Sequence, residues 1–224
     1  GDNTAMTFIK ERFERMEPLG PVHGRIMEMY RRYMLVGGMP QAVHSYVESN
    51  SFSAAEEVKA SILELYLKDA SKIGGSERSS KAALILRSLA SNLEKHDRSF
   101  SPSMVKKDSA VRDYLGTVYD LGESMMVNLC YRCTEPALDQ GSHYDSEDFK
   151  IYMNDTGLLF TLSFRISGED IDEVYGAMIS GDVSVNQGMY FENMVAQELR
   201  SSGHGLYFSK FAHKDSQKLQ EVDF

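Results

Sequence analysis

The residue placement in this chain best suited to chemistry is a carboxylate on the apolar side of an amphipathic helix. Turning Gln187–Ser201 at 100° per residue sets Phe191, Met194, Val195 and Leu199 on one arc and Asn193, Gln197 and Arg200 on the other, with Glu192 and Glu198 inside or beside the apolar arc. An ionised carboxylate there must be paired, bound to a cation or turned sideways, because an isolated buried charge is too costly. Two readings follow. One is a salt bridge or a residue at the edge of the arc that reaches back to water. The other is a metal-binding carboxylate aimed at strands expected over 205–211 and 219–224, where Asp223 alternates with Val222 and Phe224. Glu192 and Asp223 are thus the candidate metal ligands.

Other motifs carry less. Cys130 and Cys133 form a single CxxC, and zinc needs a second ligand pair at similar spacing. A strand over these residues sends the two thiols to opposite faces, as two small core residues. The stretch Gly75–Ala82 (GSERSSKA) lacks the second glycine and the hydroxyl after lysine that a phosphate-binding loop requires, and it follows a helix. Nucleophile elbows, HExxH and dinucleotide fingerprints are absent. Lys106, Lys107 and Arg112 are the candidate nucleic-acid contacts, around an expected helix-turn-helix. A helix that reads DNA usually offers several Arg, Lys, Asn or Gln, whereas Arg112 stands beside Asp113, so packing against protein is the competing role.

The elements that must position these residues follow from periodicity. Helices are expected over His23–Leu35, from Pro40 through the QAVHSYVES run, and over Ser53–Ser71, with Gly37 and Gly38 stopping the first and Pro40 opening the second. Next come a helix over Ser79–Asp97, the short SPSMVKKD stretch, a helix whose stripe is Val111, Tyr114/Leu115, Val118 and Leu121, and a strand over Ser124–Cys133. Three helices, a short strand after the first and a hairpin after the third make the element order of a winged helix. Asp148–Met153 reads as strand, DTGLLFTLSF and EDIDEVYGAM as short helices, and Gly205–Phe211 and Leu219–Phe224 as strands.

With 224 residues, 42% hydrophobic and 25% charged, the chain has room for one large domain or two to three small ones without disulfide or metal staples. Two cysteines fit a reducing compartment, and no apolar stretch approaches a membrane span, so a cytoplasmic protein away from membranes is expected. Net charge is −9, and residues 136–224 hold 15 Asp/Glu against 6 Lys/Arg. Residues 76–135 are nearly balanced, with 9 Lys/Arg against 8 Asp/Glu, and only they can host a phosphate-binding patch.

Tyr30–Val43 (YRRYMLVGGMPQAV), Ile62–Asp69 (ILELYLKD), Phe149–Leu159 (FKIYMNDTGLL), Gly188–Leu199 (GMYFENMVAQEL) and Glu221–Phe224 (EVDF) together resemble the downstream half of uncharacterised prokaryotic AAA+-type ATPases that carry a C-terminal domain of unknown function. The resemblance spans residues 20–224 in the family's order. It implies an α+β chain, mostly α: a helical, AAA-lid-like segment (1–75), a winged-helix-like segment (76–135) and an incomplete α/β domain similar to restriction-endonuclease-like PD-(D/E)XK folds (136–224). Glu192 then matches the helix acid and Asp223 the acid of the first core strand, the catalytic and metal-binding pair of such folds, while the strand holding (D/E)xK is not reached. The Walker-bearing domain of the family is missing, so no cofactor is expected in this chain, and ATP and magnesium belong to the parent protein. The expected function is a non-catalytic portion serving assembly, partner or DNA contact, with that ATPase domain as partner and oligomerisation open. The alternatives are a metal-dependent nuclease completed beyond residue 224 and a winged-helix DNA-binding regulator.

Overall fold

The computed structural model describes residues 3–72, 75–95, 97–134, 143–164, 171–180, 187–212 and 219–224. The chain is α+β and mostly helical, with one small mixed sheet. Helices α1 (Asn3–Glu14), α2 (His23–Val36), α3 (Pro40–Ser49), α4 (Phe52–Ala70) and α5 (Gly75–Leu93) precede α6 (Leu115–Glu123). Strands β1 (Val127–Cys133) and β2 (Tyr144–Met153) come next. The chain continues through α7 (Thr156–Phe164), α8 (Ile171–Ser180) and α9 (Gln187–Ser201) to strands β3 (Leu206–Ala212) and β4 (Leu219–Val222). Among the described residues no helix is long and apolar enough to cross a membrane.

The sheet order is β2-β1-β3-β4, antiparallel at both ends and parallel between β1 and β3. Ser99 bridges to Lys150 on the outer edge of β2. Because β1 precedes residue 135 and β2, β3 and β4 follow it, the sheet runs across the boundary drawn at 135/136 in the sequence. One hydrophobic cluster likewise takes in Met34 of α2, Leu89 of α5, Val127 of β1, Leu158 of α7 and Phe208 of β3. Helix α7 is the hub. Its residues Thr156–Thr161 are all buried, the signature of a helix that is apolar all round because it has neighbours all round.

Between α5 and α6 the expected middle helix is reduced to one 3-10 turn at Pro102–Met104, and the stretch expected as one helix from Val111 is a second 3-10 turn followed by α6. Pro102 opens that single turn, and Asp108, with φ of 61°, takes the left-handed conformation that a helix cannot pass through.

The GGMP turn is where the helical half grips the hub. The Gly37 N–H bonds to Tyr33 O at 2.7 Å to close α2, with φ of 81°, and Pro40 is the first residue of α3. Asp155 caps α7 by accepting from Leu158 N at 2.9 Å, and it also accepts from Gly38 N at 2.6 Å. Burial pushes its carboxyl above the ordinary range against the pull of these N–H groups and of Lys59. The turn is too tight for side chains: a Cβ on Gly37 would overlap the Asp155 carboxylate, and one on Gly157 would lie 2.6 Å from Val36 O and 2.7 Å from Gly37 Cα. A fully buried ion pair, Lys59–Glu56 at 2.8 Å, fastens α4 to the same junction, with Lys59 Nζ donating to Leu35 O at 2.7 Å.

This packing sets opposite signs for two helical glycines. Gly157→Ala should destabilise by about 1–3 kcal/mol through overpacking against backbone that cannot move aside. Gly176→Ala, in α8 with open space at the Cβ position, should stabilise by roughly 0.5–1 kcal/mol. Urea unfolding midpoints at constant slope measure both.

Candidate functional site

Strand β2 is buried continuously from Phe149 to Met153, and Lys150 sits inside that run with no exposed surface. Its register partner is Cys130 of β1, which in turn pairs with Leu206 of β3, and its Nζ stands 5.0 Å from the Phe208 ring centre. Three carboxylates converge on that Nζ: Glu221 Oε1 at 2.5 Å, Asp223 Oδ1 at 2.7 Å and Glu192 Oε1 at 3.2 Å. An ammonium has three protons to donate, and here three acceptors meet it.

The sequence candidates Glu192 and Asp223 are therefore brought together on one cationic group, and that group is a side chain of the same protein. Glu192 is buried and further held by Arg98, which ion-pairs with Oε2, and by Tyr152, whose hydroxyl donates to Oε1 at 2.5 Å. Arg98 also donates to Leu93 O at the end of α5. Burial pushes the Tyr152 hydroxyl far above its usual range, which keeps it a donor. On the open side Lys210 of β3 approaches Glu221 Oε2 at 3.7 Å and Asp97 at 3.1 Å. The whole network sets three cations against four carboxylates. Of the three acids on Lys150, Asp223 is the most exposed, with 47% of its side chain accessible.

A divalent ion shared by Glu192 and Asp223 would have to sit where Lys150 Nζ already lies, so the donor set does not fit a metal as it stands. Among the described residues no group of three or more His, Cys, Asp or Glu side chains is arranged to hold a metal ion.

One expectation from pattern is corrected. In α9, Asn193 is fully buried and Val195 is 43% exposed, the reverse of the arcs assigned from apolarity. The cause is hydrogen bonding: Asn193 Oδ1 accepts from Met153 N at 2.8 Å, its Nδ2 donates to Met153 O and Thr156 Oγ1, and Gln197 Oε1 accepts from Thr156 N at 2.9 Å. Polar groups at the open end of β2 require polar partners, and α9 supplies them. In the C-terminal strand Val222 and Phe224 are exposed, while the charged set Glu221 and Asp223 faces the buried lysine. Glu198 is neither buried nor near this centre; it accepts from Tyr33 OH at 3.0 Å.

Lys106, Lys107 and Arg112 are all exposed on the α5–α6 connection, and none of them is among the groups that meet at Lys150 or Glu192. The two cysteines are reduced and buried, and burial pushes the Cys130 thiol up to about 12, the opposite of what a reactive or metal-binding thiolate needs. Sequence reasoning missed Lys150, Arg98 and Glu221. A lysine between Phe149 and Ile151 in an otherwise apolar strand was the available signal for the first, since such a residue must bring acceptors with it.

Fold and centre together define an α+β protein built around a buried lysine–carboxylate cluster. The model of the family described as a domain of unknown function (DUF8612) matches residues 27–170, and the chain belongs to that family. No curated protein and no solved structure matches the chain. The matched stretch contains Lys150 and Arg98, whereas Glu192, Glu221 and Asp223 lie beyond it.

Removing the central cation leaves facing acids unpaired in a buried site. Lys150→Met should cost about 3–5 kcal/mol of stability. Asp223→Asn, at a half-exposed acid, should cost under about 1 kcal/mol. Glu192→Gln should fall between them, because an amide oxygen still accepts from Tyr152 but no longer neutralises Arg98. Guanidinium unfolding of the three variants tests the order.

Proposed function

We propose that this chain is the non-catalytic C-terminal portion of an AAA+-type ATPase, serving assembly and partner contact, and that its last segment is nuclease-like in arrangement while its acid centre is closed. The observation that carries the reading is Lys150 Nζ lying within 3.2 Å of Glu192, Glu221 and Asp223. A metal-dependent nuclease keeps such carboxylates free to hold the ion that activates water and stabilises the leaving oxygen. Here an internal ammonium neutralises them, so the acids bind the protein to itself. The nuclease-like arrangement is supported by an acid-bearing helix, α9, meeting acids of the C-terminal strand on one face of a mixed sheet. The ATPase parentage rests on the ordered blocks around Gly37–Pro40, Phe149–Leu159 and Gly188–Leu199.

The chain should neither cleave plasmid DNA with Mg2+ or Mn2+ nor bind Mn2+ at micromolar concentration in calorimetry. Cleavage by the wild-type chain that Glu192→Gln abolishes would overturn the non-catalytic reading.

A second reading, DNA contact by a winged-helix-like segment, is favoured by the β1–β2 hairpin that follows α6, by the Ser99 bridge to β2 and by the exposure of Lys106, Lys107 and Arg112. Three phosphate contacts bound this binding to be weak, with a loss of roughly 40-fold between 50 and 200 mM salt. Lys106→Ala with Lys107→Ala should reduce the log–log salt slope by about 2. Tight binding that ignores salt, followed by fluorescence anisotropy, would refute this electrostatic account.

A further inference from the structure

The sheet face opposite the ionic centre is open over part of its area. There a cleft of about 650 Å³ lies between β1, β2 and β3, the end of α6, the GGMP turn and the C-terminal end of α9. That volume is in the range of about 300–1,000 Å³ typical of ligand sites. Three tyrosines from three adjacent strands form one wall: Tyr131 and Tyr144 have ring centres 4.9 Å apart, and Tyr144 and Tyr207 6.4 Å apart. The Tyr207 ring lies back over Gly205, where a Cβ would come within 2.8 Å of it, so the missing side chain is what lets the ring lie along the strand. Tyr119 and Met125, both exposed, come from the end of α6.

Asn154, Asp155 and Gln197 of the cleft are held by hydrogen bonds within the chain, whereas its tyrosines and its arginine are not. Among the described residues the hydroxyls of Tyr119, Tyr131, Tyr144 and Tyr207 make no hydrogen bond, and the Arg200 guanidinium makes no hydrogen bond or ion pair. Burial raises the Tyr131 hydroxyl above its usual range, and the hydroxyls of Tyr144, Tyr119 and Tyr207 and the Glu123 carboxylate add to the effect. Arg200 is the one cation among the described lining residues, and Glu123 and Asp155 line the same cleft. A nucleic-acid strand would set a row of phosphates against those two acids with a single arginine to hold them, which disfavours it, whereas one carboxylate can be matched by Arg200 alone. Tyr, Met and Arg are the residue types that anchor protein partners: rings stack, hydroxyls bond to peptide amides, and a guanidinium grips a carboxylate with two parallel bonds.

We propose that this cleft binds a peptide segment of a partner protein that carries an aromatic side chain and a carboxylate, the ring against Tyr131, Tyr144 and Tyr207 and the carboxylate on Arg200. The proposal deepens the partner-contact reading and rests on it, and it is independent of the state of the Lys150 centre.

The test is calorimetry of the full chain with three probes: a capped tetrapeptide alternating aspartate and phenylalanine, its counterpart with lysine in place of aspartate, and a short oligothymidylate. The acidic peptide should bind at least about tenfold tighter than the lysine peptide, the margin expected of one charge-assisted pair. Arg200→Gln should erase that margin without lowering the melting temperature, since Arg200 is exposed and its guanidinium has no ion pair among the described residues. Tyr144→Ala should weaken both peptides. No binding of the acidic peptide, binding that Arg200→Gln leaves unchanged, or preference for the oligothymidylate would overturn the proposal. Metal-dependent cleavage together with Arg200-dependent peptide binding would sink the non-catalytic reading and keep the cleft; an inert chain that ignores the peptide would sink the cleft alone.

Discussion

A lysine ammonium removed from water must be met by acceptors on all sides or it will not stay charged or stay buried, and Lys150 sets that requirement at the centre of this chain. Glu192 meets it from α9, and Glu221 and Asp223 meet it from the C-terminal strand. Once Glu192 is committed, Arg98 is drawn in behind it and carries the turn after α5, while Tyr152 supplies the remaining short bond. Segments up to 73 residues apart are thereby tied to one nitrogen. Burial of apolar area drives the collapse without choosing the register of β4 or the rotation of α9, because apolar contact has no direction. The ionic centre supplies the direction.

A second junction does the same for the helical half, by a different route. Asp155 closes the N-terminus of α7 and reaches across to Gly38, and the absence of side chains at Gly37 and Gly157 lets the α2–α3 turn sit directly on that helix end. Gln197 of α9 completes it, accepting from Thr156 and donating to Tyr33. The Lys150 cluster works by charge, and the Asp155 junction works by backbone hydrogen bonds and close approach. Helix α9 takes part in both.

What the sequence made legible follows from these two kinds of order. Helices with a clean 3.6-residue stripe, such as His23–Val36 and Phe52–Ala70, and the GGMP stop and restart lie within a few residues of where periodicity and capping put them, because those signals are local. Glu192 and Asp223 could be picked out because a carboxylate among apolar neighbours is anomalous by itself. Their partner was not legible: Lys150 lies 42 residues from Glu192 and 73 from Asp223, and a strand of Phe, Lys, Ile and Tyr reads as strand whatever the lysine bonds to. Asn193 was set on the solvent side for the same reason. Its partners are the backbone groups of Met153, which carry no signature in sequence. The middle of the expected helix-turn-helix failed locally, at a proline-led turn too short to propagate and a left-handed Asp108.

The two faces of β1 divide the chain's polar chemistry. Cys130 and Arg132 share the face of the ionic centre, while Leu129 and Tyr131 share the face of the cleft, because successive side chains in a strand alternate. On the first face Lys150, Glu192 and Arg98 are answered within the chain. On the second, among the described residues, the tyrosine hydroxyls and the Arg200 guanidinium have no hydrogen-bond partner. Arg200 lies eight residues beyond Glu192 on α9, about two turns and roughly 12 Å along the axis, so the bond that fixes Glu192 to Lys150 also fixes where Arg200 stands relative to the tyrosine wall. An ionic cluster without free ligands still has work in such an arrangement. It holds rigid the helix that presents the open face, and a rigid open face loses less entropy when a partner settles on it.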